Sequence, residues 1–244
     1  MLGKAKIKYI QSLGQKKHRE EEGLFIAEGP KIIHELLHSV PQHVQDVYAV
    51  KEWLKENANH PHQHSFHEVS DAELERLSQL KTPNEVIAVV TKFDNAKTIA
   101  TKGKISLLLD TLQDPGNFGT IIRTADWFGL SQVICSEDCA DIYNPKVVQA
   151  TMGSIARVNV FYTDLVKWLE QQNEVPIYVT MLEGKDVTEM APLNEGIIVF
   201  GNESKGIHQE IVQLANERIT VRGKGKAESL NAAVAVGIVL SHIA

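Results

Sequence analysis

Apolar and polar positions recur along this chain with two different periods, and the switches between them mark out its elements. Ala5, Ile7, Ile10 and Leu13 repeat at helical spacing in a basic N-terminal segment, predicting a helix over 4–13 with a charged loop after it. Residues 24–27 read as a strand. Pro30 suits the first turn of a helix whose apolar face is Ile32, Ile33, Leu36 and Leu37. Residues 44–50 read as a second strand, Ser70-Asp71-Ala72-Glu73 as a capping box that opens another helix, and 85–90 (EVIAVV) as a buried strand. Together these predict a small α/β unit.

A polar stretch over 94–104 has no apolar period and reads as a linker. Beyond it, apolar runs at 105–110, 132–135, 158–162, 177–181, 196–200 and 219–222 alternate with helical patterns at 118–128, after Asn144-Pro145, and at 163–171, 207–214 and 229–243. Runs without in–out alternation belong to strands covered on both faces, so this block is expected to be an α/β, mostly parallel sheet with helices on both sides. The expected organisation is a first domain over 1–93, a linker over 94–104 and a second domain over 105–244. Ligands of parallel sheets bind beyond the carboxyl ends of the strands.

Composition changes this picture little. The 244 residues are 43% hydrophobic and 23% charged, ordinary for a globular protein. A formal net charge of −6 argues against a uniformly basic surface but leaves room for a local patch that binds phosphates. The two cysteines, Cys135 and Cys139, do not make a disulfide framework. The first twenty residues lack the apolar core of a signal peptide, and the longest apolar run, over 232–240, is too short to span a bilayer. A cytoplasmic protein without membrane association is the expectation.

Three segments that follow strands of the second block carry the candidate chemistry. Asp114-Pro115-Gly116-Asn117 forms a tight turn in which Asn117 can cap the next helix. Arg123 then lies in the second turn, away from the apolar face of Ile121, Ile122, Ala125 and Phe128. Spacing alone favours an ordinary surface arginine. The segment from Gly201 through Glu203 to Gly206 is a glycine-flanked loop that admits close approach to its backbone, yet it is neither a P-loop nor a dinucleotide fingerprint. Alone it reads equally as a turn and helix cap. Arg222-Gly223-Lys224-Gly225-Lys226 is a basic loop suited to a phosphate or carboxylate, and Ser229 behind it is a candidate N-cap. The helix that follows is apolar nearly all round, as in a fold interior or a subunit interface.

Taken in order, these segments resemble the SpoU (TrmH) family of RNA ribose methyltransferases in the SPOUT superfamily. The resemblance rests on Asn117 six residues before Arg123-Thr124-Ala125, on Gly201-x-Glu203-x-x-Gly206 after a strand, and on Ser229-Leu230-Asn231 opening a small-residue helix. It covers roughly 105–244. The first block is similar, more loosely, to the family's substrate-binding domain with its ribosomal-protein-L30e-like fold, through 25–33 (FIAEGPKII) and 82–90. The sequence departs from the family at Val221-Arg222, where Ile-Pro is frequent, and at Ala232-Ala233, where Val-Ser is frequent; neither change removes a candidate catalytic side chain.

The resemblance implies an S-adenosylmethionine-dependent transfer of methyl to a ribose 2′-hydroxyl, a trefoil knot in the C-terminal sheet, and a homodimer. It implies donor contacts at the backbone of Gly201, Val221 and Leu230, with Thr180 a further candidate, and catalytic roles for Asn117, Arg123, Glu203, Ser229 and Asn231. Arg123 is the family's proposed base; a guanidinium more readily stabilises charge on the 2′-oxygen or holds the neighbouring phosphate. An activated sulfonium methyl needs no metal. His60, His62, His64 and His67 lack the ligand pattern of a metal site, as do Cys135 and Cys139. The basic clusters Lys4, Lys6, Lys8 and Lys16, Lys17, His18, Arg19 suggest an RNA-docking arm, with 23S rRNA favoured over tRNA as substrate. The rivals are a tRNA 2′-O-methyltransferase, a non-catalytic RNA-binding protein that kept the fold, and a nucleotide-dependent regulator.

Overall fold

The computed structural model describes residues 2–61, 65–94 and 98–244. His62 and His64 of the histidine-rich stretch lie outside these. The chain forms two compact units, one of Met1–Asp94 with Asp141–Arg157, the other of Asn95–Ala140 with Val158–Ala244.

In the first unit, β1 (Leu24–Glu28), β2 (Val44–Ala49), β3 (Phe66–Glu68) and β4 (Val86–Thr91) make a sheet in the order β1-β4-β2-β3. Its pairs are antiparallel except β2 with β3. α1 (Lys4–Ser12) buries Ile7 and Ile10, and α3 (Pro30–Ser39) buries the four apolar residues its spacing marks. α5 (Asp71–Leu77) opens with the expected capping box. The Glu73 carboxylate accepts from the Ser70 and Leu2 amides and the Ser70 hydroxyl, which holds its pKa down to about 2. Ser70→Ala removes the reciprocal acceptor and is expected to cost about 1 kcal/mol, read as a lower thermal midpoint in calorimetry.

Four elements of this unit depart from the sequence reading. The expected charged loop is a helix, α2 (Lys16–Glu22), ended by Gly23 in the left-handed region at φ 66°. Lys16–Glu20 and Lys17–Glu21 pair along it, and Arg19 is 2% exposed, bound to Asp141 at 2.6 Å and to the carbonyls of Leu13 and Gly14. Arg19 is therefore an internal tie and not part of a docking arm. α4 (Lys51–Glu56) and β3 carry no period long enough to read, since α4 buries only Trp53 and β3 is a short edge strand. Finally, α7 (Pro145–Thr151) falls with the first unit: it packs on β1, and Tyr143 just before it meets Phe25 of β1 with ring centroids 4.8 Å apart and the planes tilted by 39°. Chain continuity alone had assigned it to the second domain.

The second unit is a six-stranded sheet in the order β10-β8-β9-β5-β6-β7, every pair parallel. Its strands are β5 (Ile105–Leu109), β6 (Gln132–Cys135), β7 (Asn159–Tyr162), β8 (Ile177–Asp186), β9 (Gly196–Phe200) and β10 (Glu217–Thr220). β9 and β6 are buried throughout, as their continuous apolar runs require. The helices are α6 (Pro115–Trp127), α8 (Leu165–Leu169), α9 (Gln209–Gln213) and α10 (Ala232–Ile243). α8 and α9 contribute Leu165, Leu169 and Ile211 to a core with Leu108, Ile134, Val179, Ile197 and Val199, while α6 packs against β6 and α10. Of the polar stretch read as a linker, Ala100 and Thr101 are tied to this unit by Gln132 and Gln172. Among the described residues no helix is long and apolar enough to cross a membrane.

Candidate active site

In a parallel sheet the segments that follow adjacent strands share one edge, and here those segments hold the three motifs. The β5–β9 ladder ends at Leu109 opposite Phe200, so the chain after β5 and the loop opening at Gly201 are neighbours. α6 begins at Pro115, three residues earlier than expected. Asp114, not Asn117, is its N-cap, its side chain accepting from the Asn117 amide at 2.7 Å, and Pro115 fills the first turn. That substitution of caps frees the Asn117 side chain. Its Nδ2 donates to Glu203 Oε1 at 2.5 Å, and its Oδ1 accepts from Asn231 Nδ2 at 2.8 Å. One residue from each motif thus joins a single hydrogen-bonded chain across 114 residues of sequence.

The start of α10 likewise differs. Asn231, not Ser229, is the N-cap, its Oδ1 accepting from Ala233 and Val234 at 3.0 and 3.3 Å. Ser229 is exposed and makes no hydrogen bond among the described residues. Arg123 is exposed too, as the apolar face of α6 requires, and has no hydrogen-bond or ion-pair partner among the described residues. Six residues along a helix place it about 9 Å from Asn117 and about 120° around the axis. The structure therefore groups Asn117, Glu203 and Asn231, and leaves Arg123 and Ser229 outside that group.

Of the four residues expected to hold the donor, Thr180 lies in β8, Gly201 and Val221 directly follow β9 and β10, and Leu230 lies in the loop that leads from β10 to α10. Thr180 follows Val179, the last β8 residue paired with β9, and its hydroxyl donates to the Val199 carbonyl at 2.8 Å. β8 runs on to Asp186, but its register with β10 jumps from Val179 opposite Arg218 to Lys185 opposite Ile219, so 180–184 bow outward. Met181 and Leu182 on this excursion are 36% and 77% exposed. Gly201 opens a loop closed on itself by paired main-chain bonds between Asn202 and Gly206. A Cβ at Gly201 would lie against Gly206 and 2.6 Å from the Ile207 nitrogen, so the missing side chain serves the loop's own closure. Val221 and Leu230 bracket residues 222–229, which are exposed and whose main-chain N–H groups have no protein acceptor among the described residues. Free main-chain donors after β10 and exposed apolar side chains on the neighbouring β8 are the kinds of group that would hold a carboxylate and an adenine.

Sequence reasoning missed the groups that brace this edge. Thr111 has φ 57°, costly for a β-branched residue, and is held there by Ser136 Oγ, which accepts from its amide at 2.8 Å, and by Asn202 Nδ2, which donates to its carbonyl at 2.9 Å. Asp110 is buried and takes His208 through both ring and main chain. The one available signal was a carboxylate ending an otherwise apolar strand, ISLLLD. Among the described residues no three His, Cys, Asp or Glu side chains are grouped to hold a metal ion.

Comparison with known proteins assigns these features to a family. The SpoU rRNA methylase family matches residues 104–241, and an MRM3-like substrate-binding domain matches 4–88. A 23S rRNA (guanosine(2553)-2′-O)-methyltransferase, RlmP, from Bacillus subtilis is 30% identical over 98% of this chain and 95% of its own length. A solved structure assigned to the TrmH family of RNA methyltransferases, from Porphyromonas gingivalis, superposes with TM-score 0.87 at 34% identity, covering 99% of this chain and 98% of that one. An AdoMet-bound rRNA methyltransferase from Sinorhizobium meliloti superposes with TM-score 0.84 at 27% identity, covering 99% and 95%. With the three motif residues on one hydrogen-bonded chain at the carboxyl edge of a parallel sheet, this protein belongs to the SpoU rRNA methylase family.

Proposed function

We propose that the chain transfers methyl from S-adenosylmethionine to a ribose 2′-hydroxyl of 23S rRNA. The observation that carries this reading is the Glu203–Asn117–Asn231 chain, which ties the family's three motifs together at a sheet edge with free main-chain donors. The donor supplies a methyl already activated on a sulfonium. The protein's part is to hold the hydroxyl in line with it, and orientation of this kind is worth about 7–11 kcal/mol of a barrier. Thr180, Gly201, Val221 and Leu230 hold the donor, largely by main chain. Asn117, Glu203 and Asn231 fix the edge against which it lies. Arg123 stabilises negative charge growing on the 2′-oxygen, because a guanidinium keeps its proton and acts best as a fixed cation. Ser229 positions the ribose.

The active form is a homodimer in this reading. Every exposed large apolar side chain among the described residues, namely Trp127, Tyr162, Met181, Leu182, Leu230 and Val234, belongs to the second unit. Trp127 is 85% exposed one turn beyond the unpartnered Arg123, so a second copy that covers it also gives Arg123 something to face. The connection from β9 to β10 passes over β8, a crossover compatible with the trefoil threading of this reading. The expected division, with an RNA-binding domain over 1–93 and a catalytic domain over 105–244, is retained, and α7 is added to the former. The cytoplasm is the compartment where such a substrate is met.

Incubation with labelled donor and either deproteinised rRNA or tRNA tests the substrate. Label in rRNA alone is expected; label in tRNA alone would transfer the same chemistry to the other RNA.

A further inference from the structure

Asp110 directly follows β5 and is 2% exposed. It accepts from the Thr111 hydroxyl at 3.1 Å and from the His208 amide at 2.7 Å. His208 Nδ1 lies 2.8 and 2.9 Å from the two carboxylate oxygens. A main-chain amide at position 208 already serves Asp110, and any residue would supply it. The ring adds something else. With Nδ1 donating to a buried carboxylate, the other nitrogen faces away from it on a side chain that is 58% exposed, and no protein partner meets it among the described residues. The hydrogen bond and charge of Asp110 raise the imidazole pKa, and Asp138 and Glu210, the other charged groups that face it, act in the same direction. The ring is thereby kept cationic to higher pH than a free histidine. It stands at the end of the Gly201–Gly206 loop, on the sheet edge that carries Asn117, Glu203 and Asn231.

We propose that His208, oriented by Asp110, is a contact for the ribose-phosphate backbone of the substrate RNA, its outward N–H donating to a phosphate beside the target nucleotide. This rests on the reading of the chain as an RNA methyltransferase. A fixed imidazolium suits a phosphate and is the wrong protonation state for a base toward the 2′-hydroxyl. The sign of the pH dependence follows: the contact is present while the ring is charged and is lost as pH rises through its raised pKa.

The test is binding of the full chain to deproteinised 23S rRNA, with S-adenosylmethionine affinity measured in parallel by calorimetry. His208→Gln is expected to weaken RNA binding roughly three- to tenfold and to lower the slope of log affinity against log salt by about 1, with donor affinity unchanged. The wild type is expected to bind RNA more weakly at pH 8.5 than at pH 6, His208→Gln to lose that part of the pH dependence, and His208→Arg to recover affinity without it. RNA affinity and salt slope unchanged in His208→Gln would overturn the proposal, even if turnover fell, because the ring would then act only by holding the loop. Failure of the wild type to bind or methylate any RNA would instead overturn the underlying functional reading.

Discussion

Arg123→Ala is expected to lower methyl transfer by about 10²–10³-fold while leaving donor affinity and the thermal midpoint where they are. Both halves follow from its position. The side chain is exposed on α6 and has no hydrogen-bond or ion-pair partner among the described residues, so its removal opens no buried cavity and strands no buried partner. Among the candidate catalytic side chains it is also the sole cation, beside the amides Asn117 and Asn231, the hydroxyl of Ser229 and the carboxylate of Glu203. Charge appearing on an oxygen nucleophile then has no other fixed positive group among them to meet. Arg123→Lys keeps the charge and loses the planar fork, so it is expected to fall between the two. Single-turnover rates with saturating donor separate this loss from any change in binding. A fall of less than threefold in Arg123→Ala would remove it from the chemistry.

Gly201→Val is expected to abolish measurable donor binding, and transfer with it. Added atoms at this position meet main chain of Gly206 and Ile207, which has no flexible end to move aside. The loop must therefore open, which breaks the Asn202–Gly206 pairing and the Asn202 bond to the strained Thr111. Gly223→Ala is the matched control: a Cβ there has nothing within 4 Å and is expected to change little. Calorimetric titration with S-adenosylmethionine reads both variants. Equal affinity of Gly201→Val and wild type would contradict the placement of the donor on this loop.

How much of this was legible in the sequence differs by element. The central strands of the second unit, β5, β6 and β9, were plain because burial on both faces leaves an unbroken apolar run, whereas the partly exposed β8 and β10 have other bounds than their apolar runs marked, Ile177–Asp186 and Glu217–Thr220. The capping box at Ser70 was equally plain, being a local pattern. Helix starts at the motifs were not, because several residues near each start can cap: Asp114 displaced Asn117, and Asn231 displaced Ser229. Those two errors matter together. Capping by Asp114 leaves the Asn117 amide free to join Glu203 and Asn231, a link between residues 86 and 114 positions apart that no local pattern announces. The membership of α7 in the first unit was hidden for the same reason, since it depends on long-range packing against β1. Arg19 shows the reverse case, a residue in a charge run that reads as surface and is buried by a partner 122 residues away. His208, the N-cap of α9, carried no signal of its own, because its orientation depends on the Asp110 carboxylate just after β5, 98 positions away.

The most direct test of the account is to treat 23S rRNA with the purified protein and S-adenosylmethionine, digest the RNA to nucleosides and identify the methylated product by mass spectrometry. The expected product is a 2′-O-methyl nucleoside, absent when Arg123→Ala replaces the wild type. A methyl group on a base, or no transfer from a protein that demonstrably binds the donor and the RNA, would contradict it.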